Sequence, residues 1–181
     1  EIPFSKRLYI EREDFKEEAN RKFFRLTIGK EVRLKNAYII KGENIEKDDA
    51  GNIITIYCSY DPESKSGSGT EASQRKVKGT LHWLSQAQAL PVKVNLYDRL
   101  FKVPAPDQDK EVSFLEHINP DSYKQIDAYV EPSVKGAKPG SLFQFQRMGY
   151  FAVDQDSRPE ELIFNKTVGL RDTWAKQQTS Q

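Results

Sequence analysis

EVRLKNAYIIK, residues Glu31 to Lys41, is the stretch that decides how this chain is read. Val32 and Leu34 alternate with Arg33 and Lys35, the period of two expected of a strand with one buried face and one wet face. The apolar parity then slips at Asn36-Ala37, and the run closes on Tyr38-Ile39-Ile40. It reads as one strand with a register change, a bulge at Asn36. Two cations on one strand face have two explanations: a solvated face, or an electropositive surface that holds something anionic.

Working outward, most apolar runs are short, rich in β-branched and aromatic residues, and bounded by turn signals. Strands are expected at Arg7-Ile10, Arg25-Thr27, Val32-Lys41, Glu43-Lys47, Ile53-Tyr60, Gly79-Leu84, Val92-Leu96, Tyr123-Tyr129, Leu142-Arg147, Tyr150-Val153 and Ile163-Thr167. Asp48-Asp49-Ala50-Gly51-Asn52 reads as a hairpin loop. Helical patterns are few. Phe15, Ala19 and Phe23 recur every fourth residue within Arg12-Phe23, with Asp14 as a cap, and a second short helix is expected over Tyr97-Phe101. PESKSGSGTEAS (Pro62-Ser73) and PAPDQDK (Pro104-Lys110) read as exposed loops, the first of them flexible. Strands this short and numerous do not make one flat sheet. The expected fold is all-β, two small barrels or sandwiches with a few short helices, divided within Trp83-Pro91 into regions 1-84 and 85-181.

The totals narrow the function. The 28 Lys+Arg nearly balance the 27 Asp+Glu, so any basic site must come from local clustering. A lone Cys58 excludes an internal disulfide framework and a multi-cysteine zinc site, and two His make a histidine-rich metal site improbable. With no apolar run long enough to cross a bilayer and no signal-peptide pattern, the expectation is a cytoplasmic protein. The opening EIPFSK, without Met, is read as the start of a fragment of something longer.

Catalytic signals are weak. There is no phosphate-cradling glycine loop of the Walker type and no dinucleotide fingerprint. His82 lies inside the expected strand GTLHWL, and neither His82 nor His117 has a nucleophile elbow to serve. The pairs Glu17-Glu18 and Glu160-Glu161 fall in polar stretches, where solvated surface is the ordinary reading. Binding is better supported. Cations or amides interleave with aromatic and apolar residues in Arg21-Lys22-Phe23-Phe24-Arg25, Arg33-Leu34-Lys35, Arg75-Lys76-Val77-Lys78 and Phe143-Gln144-Phe145-Gln146-Arg147. Single-stranded RNA is read with those tools, by stacking bases on aromatic planes and bonding their exposed edges. Each cluster taken alone is equally the wet side of an amphipathic strand.

Longer motifs add a resemblance. FNKTVGLRDTWAK (Phe164 to Lys176) resembles the closing signature of the glutaminyl-tRNA synthetase family. RLYIEREDFKEEANRKFFRLTIGKEVRLKNAYIIK, KVKGTLHWLS, ALPVKVNLYDRLF, INPDSY and FQFQRMGYF resemble that family in the same order. The resemblance spans nearly the whole chain and implies the C-terminal anticodon-binding region, with 1-84 as a distal and 85-181 as a proximal β-barrel, the latter incomplete without upstream strands. Absence of the His-x-Gly-His and Lys-Met-Ser-Lys-Ser-like signatures implies that this region is itself non-catalytic. ATP with magnesium and glutamine would then be handled by the rest of a monomeric enzyme, whose partner is the anticodon loop of glutamine tRNA.

Residue by residue, the resemblance implies that Arg25 reads the last anticodon base, a guanine, and that Arg33 and Lys35 lie around the first. It implies that Gln144 and Arg147 hold the middle base, a uracil. Lys35 stands where the family carries arginine, Lys22 where it carries glutamine, and Phe24 where it carries lysine. Lys22 is therefore expected at a phosphate, and no base contact is assigned to Phe24. The rival readings are a eukaryote-type or archaeal glutamyl-tRNA synthetase, a freestanding ribosomal RNA-binding barrel, and an interaction domain that binds no nucleic acid.

Overall fold

In the computed structural model, which describes residues 3-170, Glu31 to Lys41 forms a hairpin and not one strand. The first strand stops at Leu34, and the chain reverses so that Glu31 faces Lys41, Val32 faces Ile40 and Arg33 faces Ile39. Asn36 sits at the turn with φ 57°. Asn is among the few non-glycine residues that enter this left-handed region at modest cost, because its short amide side chain bonds locally. The parity slip is thus a chain reversal. Asn36→Gly is expected to hold or raise stability by a few tenths of a kcal/mol, while Asn36→Val lowers it by about 1-2 kcal/mol. Urea midpoints of the two variants check this.

Eleven strands form three sheets among the described residues: β1 (Leu8-Tyr9), β2 (Glu31-Leu34), β3 (Ile39-Lys47), β4 (Ile53-Asp61), β5 (Thr80-Leu81), β6 (Leu84-Ser85), β7 (Leu90-Tyr97), β8 (Tyr123-Val130), β9 (Leu142-Phe145), β10 (Gly149-Val153) and β11 (Ile163-Val168). The nearly all-β class with little helix is what the structure shows. The ladders are β1-β6, β4-β3-β2-β5 and β8-β7-β11-β10-β9. Within the described residues they run from edge to edge, so the barrel expectation goes further than this pairing. Most pairs are antiparallel, with β2-β5 and β7-β11 parallel.

Two compact units result, Glu1-Gln88 and Ala89-Gln181. The first closes on Phe15, Leu26, Val32, Leu34, Ala37, Ile40, Leu81 and Trp83. Val32 and Leu34 are completely buried, so the alternation in EVRL does point one face inward. The second closes on Val92, Val94, Val130, Val134, Phe151, Val153, Leu162 and Phe164. Each such side chain contributes roughly 1.5-3 kcal/mol of transfer free energy. Asn95 is buried in the second unit, and its polar atoms are met by Tyr123, Gln125 and Asn165.

Several local expectations are corrected. Arg12-Phe23 is not a helix; only a 3₁₀ turn at Arg12-Asp14 forms. Phe15 instead bridges Leu26, with Lys16 N donating to Leu26 O and Leu26 N to Asp14 O, so distant backbone partners outbid a thin three-residue stripe. Arg25-Thr27 accordingly carries an isolated bridge and no strand. Tyr97 extends β7, and Tyr97-Phe101 holds no helix. Pro62-Ser73 is also structured. It contains a 3₁₀ turn capped by Asp61 and leads into a helical turn, α1 (Glu71-Gln74), capped by Thr70.

Candidate nucleic-acid interface

The Arg12-Asp14 turn carries Asp14 into the first unit, where it is completely buried. Arg25 meets it there, Nε to Oδ1 at 2.9 Å, while its own side chain stays one-third exposed. The guanidinium is thus fixed through Nε, while its Nη1 donates to Phe24 O at 3.4 Å and the rest of the group faces solvent. Beside it Phe24 is half-exposed, with Lys78 Nζ 5.7 Å from the ring centre, and Lys16 Nζ lies 5.2 Å from the ring of Phe23. Cations at this distance gain from the ring quadrupole.

Arg21, Phe23, Phe24 and Arg25 line an open cleft of about 830 Å³. Arg75, Lys76, Val77 and Lys78 also line it, as do Lys30, Glu31 and Lys41. Seven cationic residues therefore line the cleft against a single carboxylate, Glu31. That carboxylate is already committed. Both its oxygens accept from Arg75, the Nη2-Oε1 bond at 3.1 Å, and the Arg75 guanidinium holds its pKa below the usual carboxylate range. Three of the seven also meet carboxylates outside the lining, Arg25 with Asp14, Lys41 with Glu43 and Arg75 with Asp61, so the positive excess is smaller than the count but keeps the sign that attracts a polyanion.

The other expected residues fall as follows. Lys22 is exposed in the turn before Phe23, its N-H donating to Asn20 Oδ1, next to the cleft residue Arg21. Lys35 is exposed on the β2-β3 turn, where its backbone is pinned by Leu81 O and by Trp83 Nε1. Arg33 is half-buried and directs its guanidinium into the 64-75 segment. Arg33 and Lys35 therefore do not share a wet face, because the strand ends between them.

Gln144 and Arg147 belong to the second unit. In β9 the FQFQ alternation turns Phe143 and Phe145 onto Phe164 and leaves Gln144 exposed. Arg147 sits at the tip of the β9-β10 hairpin with φ 67°. Gln144 pairs in register with Tyr150, which is half-exposed. Sequence reading missed Tyr150, although a hairpin centred on Arg147 in FQFQRMGYF places it on the Gln144 face. Cys58 lies on the surface, yet the protein packed around it, and then Glu43, push its thiol up to about 11.

Comparison with known proteins bears on both units. Two family models described as tRNA synthetases class I (E and Q), anti-codon binding domain, match residues 1-61 and 80-154. The chain belongs to this family. Among relatives of this anticodon-binding region, a glutamine-tRNA ligase of Vibrio cholerae is 55% identical over 177 residues, 97% of this chain and 31% of the relative. Those of Proteus mirabilis and Enterobacter sp. are 53% and 54% identical over the same shares. The chain thus spans about a third of the length of the curated relatives it matches. In the matched region the cleft brings together the Asp14-anchored Arg25, the half-exposed Phe24 and further cationic residues. The last part of its closing motif, residues 171-176, lies outside the described residues. No helix among the described residues is long and apolar enough to cross a membrane.

Proposed function

We propose that this region grips the unstacked anticodon bases of a glutamine tRNA, within a longer, monomeric, cytoplasmic ligase that joins glutamine to that tRNA using ATP and magnesium. The observation that carries the reading is the first-unit cleft, where Arg25 is held by buried Asp14 beside the exposed ring of Phe24. Arg25, with Nε on Asp14 and Nη1 on Phe24 O, presents its solvent-facing N-H groups to the acceptors of guanine, the last anticodon base. Phe24 offers a stacking face. Lys22, Lys76 and Lys78 meet phosphate, and Lys35 approaches the first base as a point charge that accepts either pyrimidine. In the second unit Gln144 and Arg147 bond the edge of uracil, whose acceptors and N-H match an amide and a guanidinium. ATP, magnesium and glutamine are handled outside this chain.

A salt-titrated binding assay with the full-length protein tests this. Affinity for glutamine tRNA is expected to fall linearly in log-log form as salt rises, the signature of phosphate contacts. Changing the last anticodon base from guanine should weaken binding by about 1-3 kcal/mol. Equal affinity for both tRNAs would remove the assignment of Arg25. The family description also covers glutamate enzymes, and the same base change separates the two readings. The glutamine reading is favoured by relatives that carry that name.

A further inference from the structure

The wall of the cleft formed by Lys76-Val77-Lys78 is held at both ends by one residue, Arg33. Its Nη2 donates to Arg75 O at 3.1 Å and to Ser73 O at 3.0 Å, and its backbone N-H donates to Gly79 O at 3.1 Å. Its Nη1 donates to Ser64 O at 2.8 Å and to Ser66 Oγ at 3.3 Å. Ser64 is completely buried, and its hydroxyl caps Ile39 N. A Ser/Gly-rich segment that composition reads as flexible is therefore folded back onto the β2-β3 hairpin, by this guanidinium together with Ser66, whose N-H and Oγ donate to Ala37 O, and Arg75, which donates to Glu31. Beyond Lys78, Gly79 is pressed against the backbone of Phe24, another residue of the cleft lining.

We infer that Arg33 is a positioning residue for RNA binding: it fixes the Lys76-Val77-Lys78 wall against Phe24 so that two ammonium groups face phosphate, and it reads no base. Five N-H groups of Arg33 are aimed at protein acceptors, four of them from its guanidinium. A base edge would have to displace bonds that hold the segment in place. A lysine at 33 keeps the charge but has no planar fork with which to hold four acceptors at once. The inference rests on the tRNA-binding reading above.

Four measurements built on Arg33→Lys test it. In the absence of RNA, amide hydrogen exchange across residues 64-75 should accelerate at least tenfold, with β7 to β11 unchanged as a control for folding. In full-length protein, the slope of log affinity against log salt should fall by about two phosphate contacts' worth. The discrimination between anticodon-swapped tRNAs should stay at its wild-type ratio. Adding Lys76→Ala and Lys78→Ala to Arg33→Lys should then cost clearly less than adding them to wild type, because coupled residues are not additive. Loss of discrimination at one anticodon position with an unchanged salt slope makes Arg33 a base reader and overturns the inference. Unchanged exchange across 64-75 overturns it equally. If the wild-type protein shows no salt-dependent tRNA binding, the reading of the site fails and takes the inference with it.

Discussion

Arg25→Ala is expected to weaken binding of glutamine tRNA by about 1-3 kcal/mol, roughly fivefold to 150-fold, with the loss confined to tRNAs carrying guanine as the last anticodon base. The same change should lower the stability of the first unit. Asp14 is completely buried and loses the guanidinium that meets its Oδ1. Breaking a fully buried pair costs about 3-5 kcal/mol, and the exposed edge of Arg25 reduces this to about 1-2 kcal/mol here. Arg25→Lys separates the two effects. It restores a charge near Asp14 and most of the stability, but not the planar fork, so discrimination stays low. Urea unfolding and competition binding with the base-swapped tRNA measure the two losses. A variant that keeps wild-type discrimination while losing stability would show that Arg25 serves only the core.

Gly79→Ala should have the largest effect on stability. Gly79 has φ 117°, a conformation that L side chains rarely adopt, and an added methyl group would collide with the carbonyl oxygen of Phe24. Strain of about 1-3 kcal/mol and overpacking of similar size together give a loss of about 2-5 kcal/mol. The relief available is to push Phe24 and the 76-78 segment apart. That widens the cleft, so the folded fraction should also bind tRNA less tightly. An unchanged unfolding midpoint would mean that the two walls are not packed as described. Gly51→Ala is the control: its φ of 83° is similarly positive, but no atom lies near its would-be methyl, so only the strain is felt.

Legibility followed the range of the interactions. The Asp48-Asn52 turn could be read because everything that makes it lies within five residues. Asp48 Oδ1 accepts from Ala50 and Asn52 N-H groups, and Gly51 supplies the positive φ. FQFQ could be read because two-residue alternation sends phenylalanines to the core on any half-buried strand. Arg12-Phe23 was misread because its outcome depends on Leu26 and Arg25, which lie beyond the window of a helical pattern. EVRLKNAYIIK was misread for a subtler reason. A bulge and a tight reversal break apolar parity alike, and only the pairing of Glu31 with Lys41 tells them apart.

The candidate site shows the same division. The cations and aromatics that line the cleft were visible as clusters, and so was the likeness to a synthetase family. What each cation does was not. Arg33 and Lys35 are identical in charge and two residues apart, yet one is spent on acceptors 31 to 42 positions further along and the other stays exposed. Sequence by itself determined the all-β class, the Asp48-Asn52 turn and the family, because propensity, alternation and motif order are written in neighbouring residues. The tertiary structure alone decided which charges hold the protein together and which face solvent. A guanidinium goes to whatever carbonyls folding brings within 3 Å or so, and those carbonyls come from chain far away.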